Sequence, residues 1–80
     1  MIVINDELHR EKESILMRLE ELMRERTFVT FRCYLDQRDR EIRGIVTRVD
    51  REAGAIKLSH DDGFDIIELS DMMSIDFGNE

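Results

Sequence analysis

The spacing of apolar positions changes once along the chain, at Thr27. Before it, Leu8, Ile15, Leu19 and Leu22 recur at helical spacing, flanked by Leu16 and Met23. Steps of three, four and seven place such residues on one helix face. No Gly or Pro interrupts residues 6–26, and Glu11, Glu13, Arg18, Glu20, Glu21 and Arg24 cover the other faces. The pattern predicts an amphipathic helix over about 6–26. Asn5 and Asp6 offer side-chain oxygens to the free N–H groups of its first turn. Ahead of it, the β-branched run Ile2-Val3-Ile4 reads as a short strand. It can pair with the chain's own sheet or with the edge of another copy.

After Thr27 the apolar period is two. Phe28 to Leu35 reads as a strand, with Val29, Phe31, Cys33 and Leu35 on the core face. Phe28, Thr30, Arg32 and Tyr34 lie on the second face, toward the helix or a partner. Asp36-Gln37-Arg38-Asp39 reads as a turn. Arg40 to Asp50 follows as a long strand whose apolar residues switch sides: Ile42 and Val46 on one, Ile45 and Val49 on the other. Gly44 inside it marks a bend or bulge. Arg51-Glu52-Ala53-Gly54 is a tight turn, with Gly54 suited to a left-handed backbone. Ala55 to Ser59 is a third strand, His60 to Gly63 a turn, and Phe64 to Glu68 a fourth strand. Leu69 to Met73 reads as one helical turn capped by Ser70, and Ser74 to Phe77 as the last strand. The expected fold is a single α+β domain over residues 1–80. It consists of an N-terminal amphipathic helix and a small five-stranded antiparallel barrel of about residues 27–77. Small barrels of the SH3 and Sm type share that element order, which is an analogy of fold and not of function.

The chain has 80 residues and a net charge of −7. A chain this small buries only about 60% of its unfolded surface, and self-association is a common way to bury more. The acidic balance opposes nucleic-acid binding by bulk charge, though not a local basic patch. Ten of the twelve basic residues are Arg, with Lys only at Lys12 and Lys57. Arg suits planar contacts to carboxylates, phosphates and aromatic faces. The single Cys33 fits a reducing compartment and makes no internal disulfide. The apolar start is too short for a signal peptide, and no apolar run is long enough to span a membrane. The expected location is the cytoplasm.

Residues 19–77 resemble the YolD-like family of small bacterial and mobile-element proteins. The resemblance rests on the aromatic strand Phe28-Val29-Thr30-Phe31-Arg32-Cys33-Tyr34 directly after a helix. It continues through Ile42-Arg43-Gly44-Ile45-Val46-Thr47-Arg48-Val49-Asp50 and Ala55-Ile56-Lys57-Leu58. It ends with Ile67-Glu68-Leu69-Ser70-Asp71-Met72-Met73-Ser74-Ile75. Family members often begin with a basic, tryptophan-bearing segment, whereas this chain begins Met1-Ile2-Val3-Ile4 and has no Trp. The resemblance implies a partner-binding module rather than an enzyme. It also implies a role like that of the UmuD subunit beside a Y-family DNA polymerase, or a mobile-element origin. A self-cleaving Ser/Lys pair of the UmuD type does not map onto this sequence.

Five sets of residues carry candidate chemistry. Arg32, Tyr34, Arg43 and Arg48 sit on adjacent strands, where cross-strand pairing can gather them into a partner- or ligand-binding patch. The plainer reading is stacking and pairing with neighbouring carboxylates. Ile2, Val3, Ile4 and Phe28 are candidate oligomer contacts. His60, Asp61, Asp62 and Asp65 surround a turn and read as a solvated hairpin tip, because a full calcium loop needs more ligands. Asp50 reads as a turn cap. Cys33 and Met17, Met23, Met72 and Met73 read as core fillers. No nucleophile–base pair, Gly-rich phosphate loop or metal-ligand spacing is present, so neither an enzyme nor a cofactor is expected. The leading expectation is a non-enzymatic interaction module acting on a protein partner or on itself as a homo-oligomer. The alternative is an Sm-like oligomer binding nucleic acid or a nucleotide. That alternative includes a phage-type anti-defence protein that sequesters a signal or blocks a host protein.

Overall fold

The computed structural model describes residues 12–76 and the backbone of residues 2 and 3. The elements in order are β1 (Ile2–Val3), α1 (Lys12–Glu25), β2 (Phe28–Leu35), β3 (Arg38–Asp50), β4 (Ala55–His60), β5 (Gly63–Glu68), a 3-10 turn (Leu69–Asp71) and β6 (Met72–Asp76). All strand pairs are antiparallel, and the sheet order is β1-β6-β2-β3-β4-β5. The domain is therefore α+β, with one helix followed by five antiparallel strands, as the apolar spacing predicted; β1 adds a sixth strand to the sheet.

The expected barrel does not close. Among the described residues β5 pairs with β4 alone, and β1 occupies the outer side of β6, so no ladder joins the two ends of the sheet. The predicted N-caps Asn5 and Asp6, the helix residue Leu8, and Ile4 and Phe77 lie outside the described residues.

The helix buries Ile15, Leu16, Leu19 and Leu22, the predicted stripe, and packs along β3. It ends without a glycine. Arg26 adopts a left-handed φ of 53°. The Thr27 N–H donates to the Leu22 carbonyl and the Arg26 N–H to the Met23 carbonyl, both at 3.3 Å. This is the Schellman closure of a helix, with Arg where Gly usually sits. The chain enters β2 immediately afterwards.

Val29, Phe31 and Cys33 of β2 are completely buried, joined by Val46, Leu58, Ile67 and Ile75 from four other strands. β2 and β3 are joined by a two-residue turn at Asp36 and Gln37, with φ of 54° and 66°. Positive φ at both positions twists the hairpin in the favoured sense. The strand therefore starts at Arg38, two residues earlier than the sequence predicts.

The side switch in β3 has a structural cause. The register shifts between Val46 and Arg48, which inserts one extra residue, Thr47. One inserted residue exchanges the two faces of a strand. Val49 thus returns to the inner side and packs against the core, while Ile45 stays on the outer face. Gly44 answers a different need: a Cβ there would sit 2.3 Å from the Ser59 carbonyl oxygen. At Gly54 the φ is 67°, as the turn requires.

Three smaller expectations are corrected. Ser70 does not cap the 3-10 turn; Glu68 precedes it in extended conformation, with no side-chain cap. Met72 already belongs to β6. Met17 and Met73 are exposed, so of the four methionines only Met72 is buried and Met23 half-buried.

Candidate functional site: the outer face of the sheet

Alternation gives every strand of an open sheet a second face. Here that face carries large apolar groups. Phe28 pairs with Ile45, Ile45 with Ser59, and Ser59 with Phe64, so one row crosses β2, β3, β4 and β5. Phe28 is 50% exposed, Phe64 56% and Ile66 55%. A cation covers each ring. The Arg43 guanidinium lies 4.9 Å from the Phe28 centroid, and the Lys57 ammonium 4.3 Å from the Phe64 centroid. Between them the Thr47 and Ser59 hydroxyls are 2.8 Å apart and satisfy each other.

The four predicted binding residues do not form one cluster. Arg32 and Tyr34 are exposed at the far end of β2, opposite Glu41 and Asp39. Arg43 stacks on Phe28 rather than on Tyr34. Arg48 lies beyond the β3 bulge, opposite Lys57, so two cations stand side by side there. Of the predicted oligomer contacts, Phe28 is exposed on this face. The backbone of Ile2 and Val3 pairs with Ile75 and Ser74 of the chain's own β6. The sequence reading missed Phe64, Ile66 and Lys57. Their signal was the adjacent pair Ile66-Ile67, which must place one isoleucine on each face.

A cavity of about 440 Å³ lies between the helix end and this face, lined among others by Met23, Arg26, Phe28, Ile45 and Ser59. That is within the size range of small-ligand sites.

On the other side, polar groups hold the helix in place. Arg51, in the β3–β4 turn, reaches the helix and donates to both carboxylate oxygens of Glu20, at 2.9 and 2.7 Å, and also to Glu13. The hydrogen bonds from Arg51 hold the Glu20 carboxyl below its ordinary pKa, and those to Glu20 raise that of Arg51. Asp50 caps the same turn by accepting from the Ala53 N–H at 3.0 Å. Asp61 and Asp62 form the exposed tip of the β4–β5 hairpin, while His60 Nε2 and Asp65 Oδ2 lie 2.8 Å apart at its base. Among the described residues no three His, Cys, Asp or Glu side chains gather where they could hold a metal ion. Cys33 is enclosed by the core, and burial pushes its thiol pKa up. Among the described residues no helix is long and apolar enough to cross a membrane.

No family model matches the chain, and no curated protein and no solved structure matches it.

Proposed function

We propose that this chain is a non-enzymatic protein-interaction module of the YolD-like type, working through the outer face of its sheet. The carrying observation is the row Phe28, Ile45, Ser59, Phe64, with Arg43 and Lys57 over its terminal rings. Aromatic residues and Arg are the side chains enriched at protein interfaces, and this face exposes both. Helix, four strands, a single helical turn and a last strand is also the element order of SH3- and Sm-type domains, and the long bulged β3 suits that architecture. If the YolD-like resemblance holds, the partner belongs beside a Y-family DNA polymerase or to a mobile element, and the location is the cytoplasm.

The rings with their cations also favour a second reading, because single-stranded nucleic acid stacks on such platforms. The net charge of −7 opposes it. The test compares the wild type with the double variant Phe28→Ser, Phe64→Ser as baits in host extract, after circular dichroism shows both folded. The module reading expects one defined protein retained by the wild type and lost by the variant. Salt-sensitive binding of single-stranded DNA or RNA that Arg43→Ala weakens, with no protein retained, would replace it by the second reading.

A further inference from the structure

We infer that β5 pairs edge to edge with the β5 of a second copy, antiparallel about a two-fold axis, joining two sheets into one. The starting observation is the asymmetry of the two sheet edges. The β6 edge is occupied by β1, whereas β5 has no strand on its outer side among the described residues. That edge is six residues long, Gly63 to Glu68, without proline or bulge. Unpaired N–H and C=O groups along such an edge are a template for another strand. The opposite edge strand is β1, only two residues long among the described residues, too short to receive a six-residue strand in a head-to-tail ring. Self-pairing about a two-fold axis uses the full length of the β5 edge and closes the assembly.

Register follows from hydrogen-bond parity and charge. His60 and Gly63 flank the two-residue turn and form its closing pair. Parity then points the backbone groups of Gly63, Asp65 and Ile67 at β4, and those of Phe64, Ile66 and Glu68 outward. Centring the two-fold axis on Ile66 sets Ile66 against Ile66 and Phe64 against Glu68 of the second copy. Centring it on Asp65 would set two aspartates face to face, which is unfavourable. Centring it on Ile67 would shorten the ladder and leave Phe64 without a strand partner.

The Ile66 register also brings opposite charges together. Lys57 sits over Phe64, beside its like-charged cross-strand neighbour Arg48. Glu68 of the second copy, opposite Phe64, comes next to that ammonium. The two-fold axis repeats the pair, so two Lys57–Glu68 contacts flank a centre of exposed isoleucines. The outer faces of the two copies then lie side by side on one sheet.

This pairing deepens the self-association part of the proposed function. It stands on the β5 edge, not on the Phe28 end of the row, so the two ideas fail separately. Ile66→Cys tests it directly. Opposed residues of a hydrogen-bonded antiparallel pair lie about 5.5 Å apart at Cα, within disulfide range. Buried Cys33 does not compete. Mild oxidation of this variant is expected to give a covalent dimer, while Phe64→Cys, opposite Glu68, gives none. In sedimentation, Glu68→Lys and Lys57→Glu should each weaken the dimer by about tenfold, and the double charge swap should restore it. A wild-type chain that stays monomeric at high concentration, or cross-links formed equally well by both cysteine variants, overturns the pairing. If the chain is monomeric yet still captures a protein partner through Phe28, only the dimer is lost. If the dimer forms and the Phe28→Ser, Phe64→Ser variant captures partners undiminished, the pairing stands and the outer-face reading falls.

Discussion

Each face of β2 carries a phenylalanine, and the two meet opposite fates. Phe31 and Phe28 are three positions apart on one strand, yet Phe31 is completely buried while half of Phe28 is exposed. Helix α1 closes the inner side, and Arg51 ties that helix to the β3–β4 turn through Glu20 and Glu13. The outer side has cations lying over its rings instead of a second layer. Burial thus depends on which face a neighbouring element covers, and not on residue type. The inner face carries the stability of the fold, and the outer face is the one proposed for association.

The comparison breaks most sharply at Phe31. Phe31→Ala should cost about 4 kcal/mol, enough to unfold much of a small domain whose total stability is on the order of 5–15 kcal/mol. Urea melts followed by circular dichroism would read this. An Ala at that position with near-wild-type stability would mean that the core described here is not the one that holds the fold.

Gly44→Ala ranks next. Its Cβ would fall against the backbone carbonyl of Ser59, which no rotamer can relieve. The expected loss is about 3 kcal/mol, within the range for forced overpacking. A tolerated alanine would show that β3 and β4 separate there easily.

The Arg51 fork sharpens the comparison through pH. The folded Glu20 carboxyl titrates below its ordinary value of 4.5. Its contribution is therefore fully present above about pH 4.5 and fades as pH falls through the depressed folded value. Arg51→Ala should lower the melting temperature at neutral pH by a few degrees and flatten the acid limb of the stability curve. Parallel curves for both proteins would show that the fork does not hold the helix.

The smallest stability effect belongs to the outer face. Phe28→Ser should shift stability by about 1 kcal/mol or less, the scale of one cross-strand pair and one stacked cation, while reducing association with a partner. A large drop in melting temperature would show that Phe28 packs in the fold, and the difference between the two faces would disappear.

Much of this architecture was legible in the residues. The helix stripe, the core alternation of β2 and the turns at Gly54 and Asp61-Asp62 all follow from local rules of spacing and φ. The helix end was read to within a residue, but not how it closes: Arg26 takes a left-handed conformation with no glycine to announce it. Thr47 as the bulge was hidden too. A bulge is a relation between two strands, and only the position of β4 reveals that β3 carries an extra residue. Arg32, Tyr34, Arg43 and Arg48 looked like one patch because they lie on adjacent strands. Register decides otherwise: it sets Arg32 and Tyr34 opposite Glu41 and Asp39, and Arg48 opposite Lys57 toward the other end of β3. Phe64 and Ile66 were overlooked because a short apolar strand does not reveal whether anything covers its second side.

Local chemistry in the amino-acid sequence determined which segments became helix and strand, and which side of each apolar stripe sought the core. These choices depend on neighbours within a few positions. Whether the sheet closed on itself, which edge received β1 and which stayed open, and which aromatic rings met cations were decided only by tertiary structure. Each of those outcomes is a pairing between distant segments, and its free energy exists only once both are in place.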